Sequence, residues 1–233
     1  MKTGEPVPKI RERRGEFSDL IKEAIGDAWD GDIKSFDART GEKPPSPSEM
    51  DALVITGSAA NVPDREPWML ETEAYLRAVV QAEVPTFGIC FGHQILAQAL
   101  GGEVRRNPRG REIGTRRIEK LADDPIFDGI PSVFTANVTH IDSVLVLPKG
   151  AAALAKNDLE DHHAIRFSET CYGVQFHPEL DADVMRGYIE HRWDVLANEG
   201  FAVADLHGAI TNAEAGRRTI QNFFRHVVTL RKK

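Results

Sequence analysis

From residue 51 onward, short apolar runs alternate with stretches whose apolar residues return at helical spacing. Helices that cover both faces of a mostly parallel sheet produce this pattern, because each strand is then buried on both sides. The run Asp51-Ala-Leu-Val-Ile-Thr-Gly-Ser58 predicts a buried strand ending in a glycine turn, and 67–81 predicts a helix. A second short strand is expected over 84–89, then a helix over 92–100 that Gly101-Gly102 stop with left-handed caps. Further along, 143–148, 151–156, 164–167 and 172–176 read as strands separated by polar turns, which suggests an antiparallel meander. From 182 to 228 the pattern is helical, with a break near Asn198-Glu199-Gly200 and a cap at Thr211-Asn212. The expected class is α/β: a doubly wound, mostly parallel sheet with flanking helices and a small antiparallel meander. Residues 1–233 form one expected domain, with 182–233 as a helical C-terminal cover. The beginning fits less well. The first apolar run lies in 32–37, so the opening strand usual in such a domain is expected to be missing.

Composition narrows the class without changing it. A chain of 233 residues, 41% hydrophobic and 28% charged, can bury a sizeable core without disulfides or metals. No run approaches the roughly 18 apolar residues of a membrane helix, and no apolar segment follows the positive charge of Lys2, so a cytoplasmic location away from membranes is expected. The net charge of −7 argues against a general nucleic-acid role, since a polyanion is repelled at long range. The two cysteines, Cys90 and Cys171, build no disulfide framework, and each needs its own explanation.

Gly88-Ile-Cys-Phe-Gly-His-Gln94 puts a cysteine on a sharp strand-to-helix turn, flanked by glycines that remove side chains which would crowd it. The free N–H groups of the following helix stabilise a thiolate there, which suits Cys90 to nucleophilic attack on an acyl group. Taken alone, such a cysteine can also be a packing residue, though the elbow favours a nucleophile. A base is offered by Gly173-Val-Gln-Phe-His-Pro-Glu-Leu180, where His177 follows a strand end and Pro178 fixes the turn that lets Glu179 reach back to one imidazole nitrogen. Nucleophile, base and orienting carboxylate together follow the logic of a catalytic triad.

These two segments in this order resemble the paired signature of class I glutamine amidotransferases, over roughly residues 51–180. The resemblance implies a flavodoxin-like class I glutamine amidotransferase fold that hydrolyses glutamine through a thioester and passes ammonia onward. It implies Cys90 as nucleophile, His177 as general base and then acid, and Glu179 as orienting carboxylate. The backbone N–H groups of Ser58 and Phe91 would form the oxyanion hole, beside Gly57. Gln94 would line the pocket for the substrate's amino-acid end. Val138-Thr-His-Ile-Asp-Ser-Val144 resembles the family's substrate-binding segment and puts Thr139, Ile141 and Asp142 at the pocket, with Asp142 facing an α-ammonium. Many relatives carry glycine at the positions of Ser58 and Ile141, which bears on substrate choice. Ile55-Thr-Gly-Ser58, Asp64-Arg-Glu-Pro-Trp68 and Gly110-Arg-Glu-Ile-Gly114 look most like stand-alone proteins related to the amidotransferase domain of GMP synthase.

Other features carry less. Cys171 lies at a strand start without a histidine beside it and is expected to pack. His162-His163 sit in an acidic turn without a third ligand and are expected in a solvated loop, so no metal and no cofactor is expected. Arg105, Arg106, Arg109 and Arg111 form either a basic patch for a phosphate or acidic partner or a solvated run. His93 is expected to point into helix packing. The leading functional expectation is a glutaminase-type amidotransferase acting on glutamine or a γ-glutamyl amide, its ammonia acceptor being a synthetase or other partner protein. The main alternative is a self-sufficient γ-glutamyl hydrolase or peptidase, and a non-catalytic binding module is a third.

Overall fold

A computed structural model describes residues 1–229. The strands are β1 (Leu53–Ile55), β2 (Thr86–Ile89), β3 (Glu103–Arg106), β4 (Glu112–Lys120), β5 (Val133–His140), β6 (Asp142–Val146), β7 (Ala152–Lys156), β8 (Ala164–Arg166) and β9 (Cys171–Val174). The helices are α1 (Pro8–Arg14), α2 (Phe17–Ile25), α3 (Pro67–Gln81), α4 (Phe91–Ala99), α5 (Ala182–His191), α6 (Trp193–Asn198), α7 (Val203–Gly208) and α8 (Glu214–Asn222), the last running into a π-helical turn at Phe223–Val228. Seven strands form one sheet in the order β1-β2-β9-β8-β7-β4-β5, and β3 pairs with β6 in a separate two-stranded sheet. The α/β class stands, and the sheet is mixed. Strands β1, β2 and β9 run parallel, while β9-β8, β8-β7, β7-β4 and β4-β5 are antiparallel.

Strand alternation explains the two cores. On β9, Tyr172 and Val174 face a core with Phe87 and Ile89 under α2, α5 and α8, while Cys171 faces the other core with Leu53 and Ile55 under α3 and α4. Gly173 turns toward α4, where a Cβ would come 2.7 Å from His93 Nδ1.

Several expectations need correction. The strand expected at 143–148 is β6, which leaves the meander for its pairing with β3; the meander itself is β7-β8-β9. Asn212 does not cap its own helix: Ala213 holds the α8 N-cap position, and Asn212 Oδ1 accepts from Ala182 N–H at the start of α5. The slot of the opening strand is filled. Lys2 bridges Asp37 in parallel, and Met1 and Thr3 bond to Val54 and Thr56 beyond β1. Among the described residues no helix is long and apolar enough to cross a membrane.

Candidate active site

The parallel pairing decides where the candidate residues meet. Ile55 pairs with Gly88 and Ile89 with Val174, so the chain leaves β1, β2 and β9 at one carboxyl edge. The segments that follow, 56–58, 90–94 and 175–179, therefore converge there, where ligands bind in open α/β sheets.

Cys90 is the residue on which the elbow turns. Its φ of 51° and ψ of −101° lie outside the regions a non-glycine residue prefers, a conformation that costs on the order of 1–3 kcal/mol. Two backbone bonds hold it: Cys90 N–H donates to Val174 O at 2.8 Å, and Gln94 N–H donates to Cys90 O at 3.0 Å. The glycines allow helix α4 to start so close to the sheet. A Cβ on Gly88 would come 2.5 Å from Gly92 O, and one on Gly92 2.5 Å from Ile55 O. Cys90 is 6% exposed.

His177 is positioned from two sides. Its N–H donates to Asn137 O at 2.8 Å, and the Asn137 amide in turn donates to Leu180 O at 2.8 Å and Thr211 O at 3.1 Å. Thr115 Oγ1 donates to Asn137 Oδ1 at 2.7 Å, so this one buried asparagine brackets the turn that carries His177 and Glu179. Glu179 Oε1 lies 2.8 Å from His177 Nδ1. Among the described residues His177 Nε2 has no hydrogen-bond partner. The ring lies beside the cysteine across Gly57, whose ideal Cβ position is 3.1 Å from His177 Cε1 and 3.8 Å from Cys90 Cβ. Burial works against the imidazolium, but the charges of Glu179 and Cys90 outweigh it and hold the His177 pKa up at about 10.

The predicted substrate residues follow one another where β5 passes into β6, with the Thr139 carbonyl toward the sulfur. Thr139 O is 3.9 Å from Cys90 Sγ, Ile141 O accepts from Asn107 N–H at 2.8 Å, and Asp142 is buried at the start of β6. Burial raises the Asp142 pKa, and Arg106 partly offsets this. The Gln94 Nε2 group donates to Asp142 O at 2.8 Å and Gln175 Oε1 at 2.9 Å, which leaves its Oε1 as the group free to meet a substrate.

Two residues here escaped the sequence reading. Gln175 Nε2 lies 3.5 Å from Cys90 Sγ, completing a chain from Asp142 O through Gln94 and Gln175 to the sulfur. Its signal was its place two residues before His177 in an otherwise apolar strand end. Asn137 offered a similar signal, a polar residue in a buried stretch of β5.

His163 corrects another expectation. It is fully buried, not in a solvated loop, with Nε2 3.1 Å from Glu112 Oε2. His140 Nε2 lies 3.0 Å from the same oxygen, its Nδ1 3.0 Å from Asp142 O, and Asn157 Nδ2 donates to Glu112 Oε1 at 2.5 Å. The carboxylate at Glu112, on a strand the hydrophobic pattern did not single out, is what makes burying two imidazoles tolerable. The arginine run is largely neutralised: Arg105, Arg109 and Arg111 pair with Glu103, Asp161 and Glu199. His93 packs as expected, and burial lowers its pKa to about 3. Cys171 is buried in the core, which pushes its thiol pKa up.

Comparison with known proteins agrees with this arrangement. The family model described as Glutamine amidotransferase class-I matches residues 32–192. One of the subunits of the glutamine-hydrolysing GMP synthase of Archaeoglobus fulgidus is 37% identical over 150 residues, covering 61% of this chain and 76% of that protein. The GMP synthase of Thermosipho africanus is 34% identical over 131 residues; these are 55% of this chain and 24% of that protein, so the match spans about a quarter of its length. A glutamine amidotransferase of known structure from Thermotoga maritima superposes with a TM-score of 0.75 at 25% identity, over 97% of this chain and 96% of that one. With the model matching more than half of its length, the chain belongs to the class I glutamine amidotransferases.

Proposed function

We propose that this chain hydrolyses the γ-amide of glutamine with Cys90 as nucleophile and that the ammonia released serves an acceptor reaction on another protein. The observation that carries the reading is the state of His177: one nitrogen pinned by Glu179, the other unpartnered beside a cysteine held at a strained elbow. Cys90 gives its proton to His177 as Sγ attacks the γ-carbonyl carbon, and an oxyanion forms against the N–H groups of Ser58 and Phe91. His177 gives a proton to the departing nitrogen, the C–N bond breaks, and ammonia leaves a thioester. His177 then takes a proton from water as its oxygen attacks the thioester, and returns that proton to the departing sulfur, which releases glutamate and restores the thiol. Asp142, Thr139 and Ile141 hold the amino-acid end of the substrate, with Gln94 Oε1 beside them. The partner is a synthetase-type protein, in line with the relatives named as single subunits of a GMP synthase. A cytoplasmic location completes this reading.

A second reading has its own support. Ser58 and Ile141 stand where many relatives carry glycine, a departure from the family pattern at the predicted substrate residues that speaks against strict glutamine specificity and favours a γ-glutamyl conjugate handled by a self-sufficient hydrolase. Both readings are tested by glutamate release from glutamine and from a panel of γ-glutamyl amides and peptides, with Cys90→Ala as control. Glutamine with ammonia release supports the first, and preference for a conjugate supports the second. Equal rates for the wild type and Cys90→Ala would sink both.

A further inference from the structure

Oxyanion stabilisation requires one peptide, Gly57–Ser58, to point its N–H at the space above Cys90. In a trans peptide the C=O and N–H point in opposite directions, so whatever holds the Gly57 carbonyl decides where the Ser58 N–H faces. The carbonyl is turned toward the 3–4 segment, where an ideal Cβ on Gly4 would come 2.9 Å from it. Thr56 Oγ1 donates to Gly57 O at 3.0 Å, and Thr3 Oγ1 lies 3.2 Å from the same oxygen. Thr3 N–H donates to Thr56 Oγ1 at 3.0 Å, and Thr3 Oγ1 donates to Thr56 O at 2.9 Å. Each hydroxyl has one proton, and one assignment uses both: Thr3 N–H to Thr56 Oγ1, Thr56 O–H to Gly57 O, and Thr3 O–H to Thr56 O.

The two sides of the peptide are distinct. Behind it, an ideal Cβ on Gly4 would stand 2.7 Å from Ser58 Cα and 2.9 Å from Gly57 O, so the 3–4 segment lies directly against the carbonyl. In front, Gly57 faces His177 and Cys90. Thr3 and Thr56 are both buried, so water does not compete for these bonds, and reversing the peptide would leave the Thr56 hydroxyl facing an N–H instead of an acceptor. Among the described residues neither Ser58 N–H nor Phe91 N–H donates to another protein group. Ser58 Oγ accepts from Ala60 N–H at 3.1 Å, which ties down the next turn as well.

We propose that Thr3 and Thr56 form a latch that holds the Gly57–Ser58 peptide with its N–H toward Cys90, so that the oxyanion hole stands ready in the isolated chain and hydrolysis does not wait for a partner. Both threonines are positioning residues, and this inference rests on the glutaminase reading for its kinetic consequence. The latch also explains why a short stretch of chain occupies the slot beside β1: the Thr3 N–H fixes the Thr56 hydroxyl, and the Thr3 side chain holds the Thr56 carbonyl at the turn after the strand.

The test uses Thr56→Val, Thr56→Ser and Thr3→Val in the full chain, without a partner. The expected result for Thr56→Val is a fall of at least ten-fold in kcat for glutamine with KM within about two-fold, an unchanged rate of Cys90 alkylation by iodoacetamide, and recovery in Thr56→Ser. Thr3→Val should show a smaller fall of the same kind. Alkylation separates a misaligned oxyanion hole from a collapsed site, because it needs the thiolate and not the hole. Crystal structures of the wild type and Thr56→Val read the peptide directly: carbonyl toward Thr56 in the first, reversed or mixed in the second. Wild-type kcat in Thr56→Val, equal losses of kcat and alkylation, or a wild-type peptide with its carbonyl toward Cys90 would overturn the latch. A wild type inert toward every γ-glutamyl amide, with the peptide oriented as described, would overturn the glutaminase reading and the claim of readiness together while supporting the latch as a structural device.

Discussion

The buried imidazole–carboxylate pairs of His177 with Glu179 and of His140 with Glu112 differ in what the second ring nitrogen meets. In each, a carboxylate oxygen sits 2.8 to 3.0 Å from an imidazole nitrogen, with both side chains buried. The other nitrogen of His140 is taken by Asp142 O, and Glu112 is shared with His163 and Asn157. The other nitrogen of His177 has no partner among the described residues. An imidazole bonded at both nitrogens, as His140 is, holds structure, while an open nitrogen beside a thiol can move a proton. Burial and charge pairing alone do not single out His177 as the candidate base; an open nitrogen on a ring that lies beside Cys90 does.

The largest effect that could break the comparison is on turnover. Glu179→Gln should lower kcat by roughly 10²- to 10⁴-fold, because an amide neither fixes the tautomer nor stabilises the imidazolium. Glutamate release per folded molecule measures it. Glu112→Gln should do the reverse, costing about 3 kcal/mol or more in urea unfolding because it breaks a buried pair, with little change in kcat per folded molecule. A large loss of kcat at constant KM in that variant would erase the distinction.

The next effect is in the pH dependence of stability. Burial opposes the charged His140, but Glu112 outweighs it and raises the His140 pKa; burial likewise opposes ionised Glu112, and His140 and His163 more than reverse that and lower its pKa. The raised His140 contributes stability that is complete below its ordinary pKa of about 6.5 and is lost as pH rises through the higher folded value. The lowered Glu112 contributes stability that is complete above its ordinary value of about 4.3 and is lost as pH falls through the lower folded value. The wild-type advantage over Glu112→Gln should therefore peak between pH about 4.5 and 6.5 and shrink on either side, as read by paired urea titrations. An advantage that grows steadily toward alkaline pH would contradict the assignment. The smallest effect is expected from Cys171→Ser. It should leave kcat unchanged and lower stability by about 1–2 kcal/mol, the cost of a hydroxyl in an apolar site.

What could be read from the sequence follows from how local each feature is. The elbow around Cys90, helix α3 at its observed limits and the turn bearing His177 and Glu179 are all written in contiguous residues, glycines and a proline included. The long strands β4 and β5 were not legible, because their buried faces carry Glu112, Asn137 and His140, polar groups whose partners lie far along the chain. For the same reason His163 looked like a loop residue: its compensating carboxylate is on another strand. The pairing of β6 with β3 instead of the meander is likewise set by packing across the sequence, not by the alternation within 143–148.

The central claim is that, of the two cysteines, Cys90 alone reacts with a γ-glutamyl carbonyl. The most direct measurement is peptide mapping by mass spectrometry after treating the wild-type chain with an electrophilic glutamine analogue, with and without excess glutamine. The expected result is a single adduct on Cys90, suppressed by glutamine and absent from His177→Ala at the same exposure, with Cys171 unmodified. An adduct on Cys171, or labelling of Cys90 indifferent to both glutamine and His177, would contradict it.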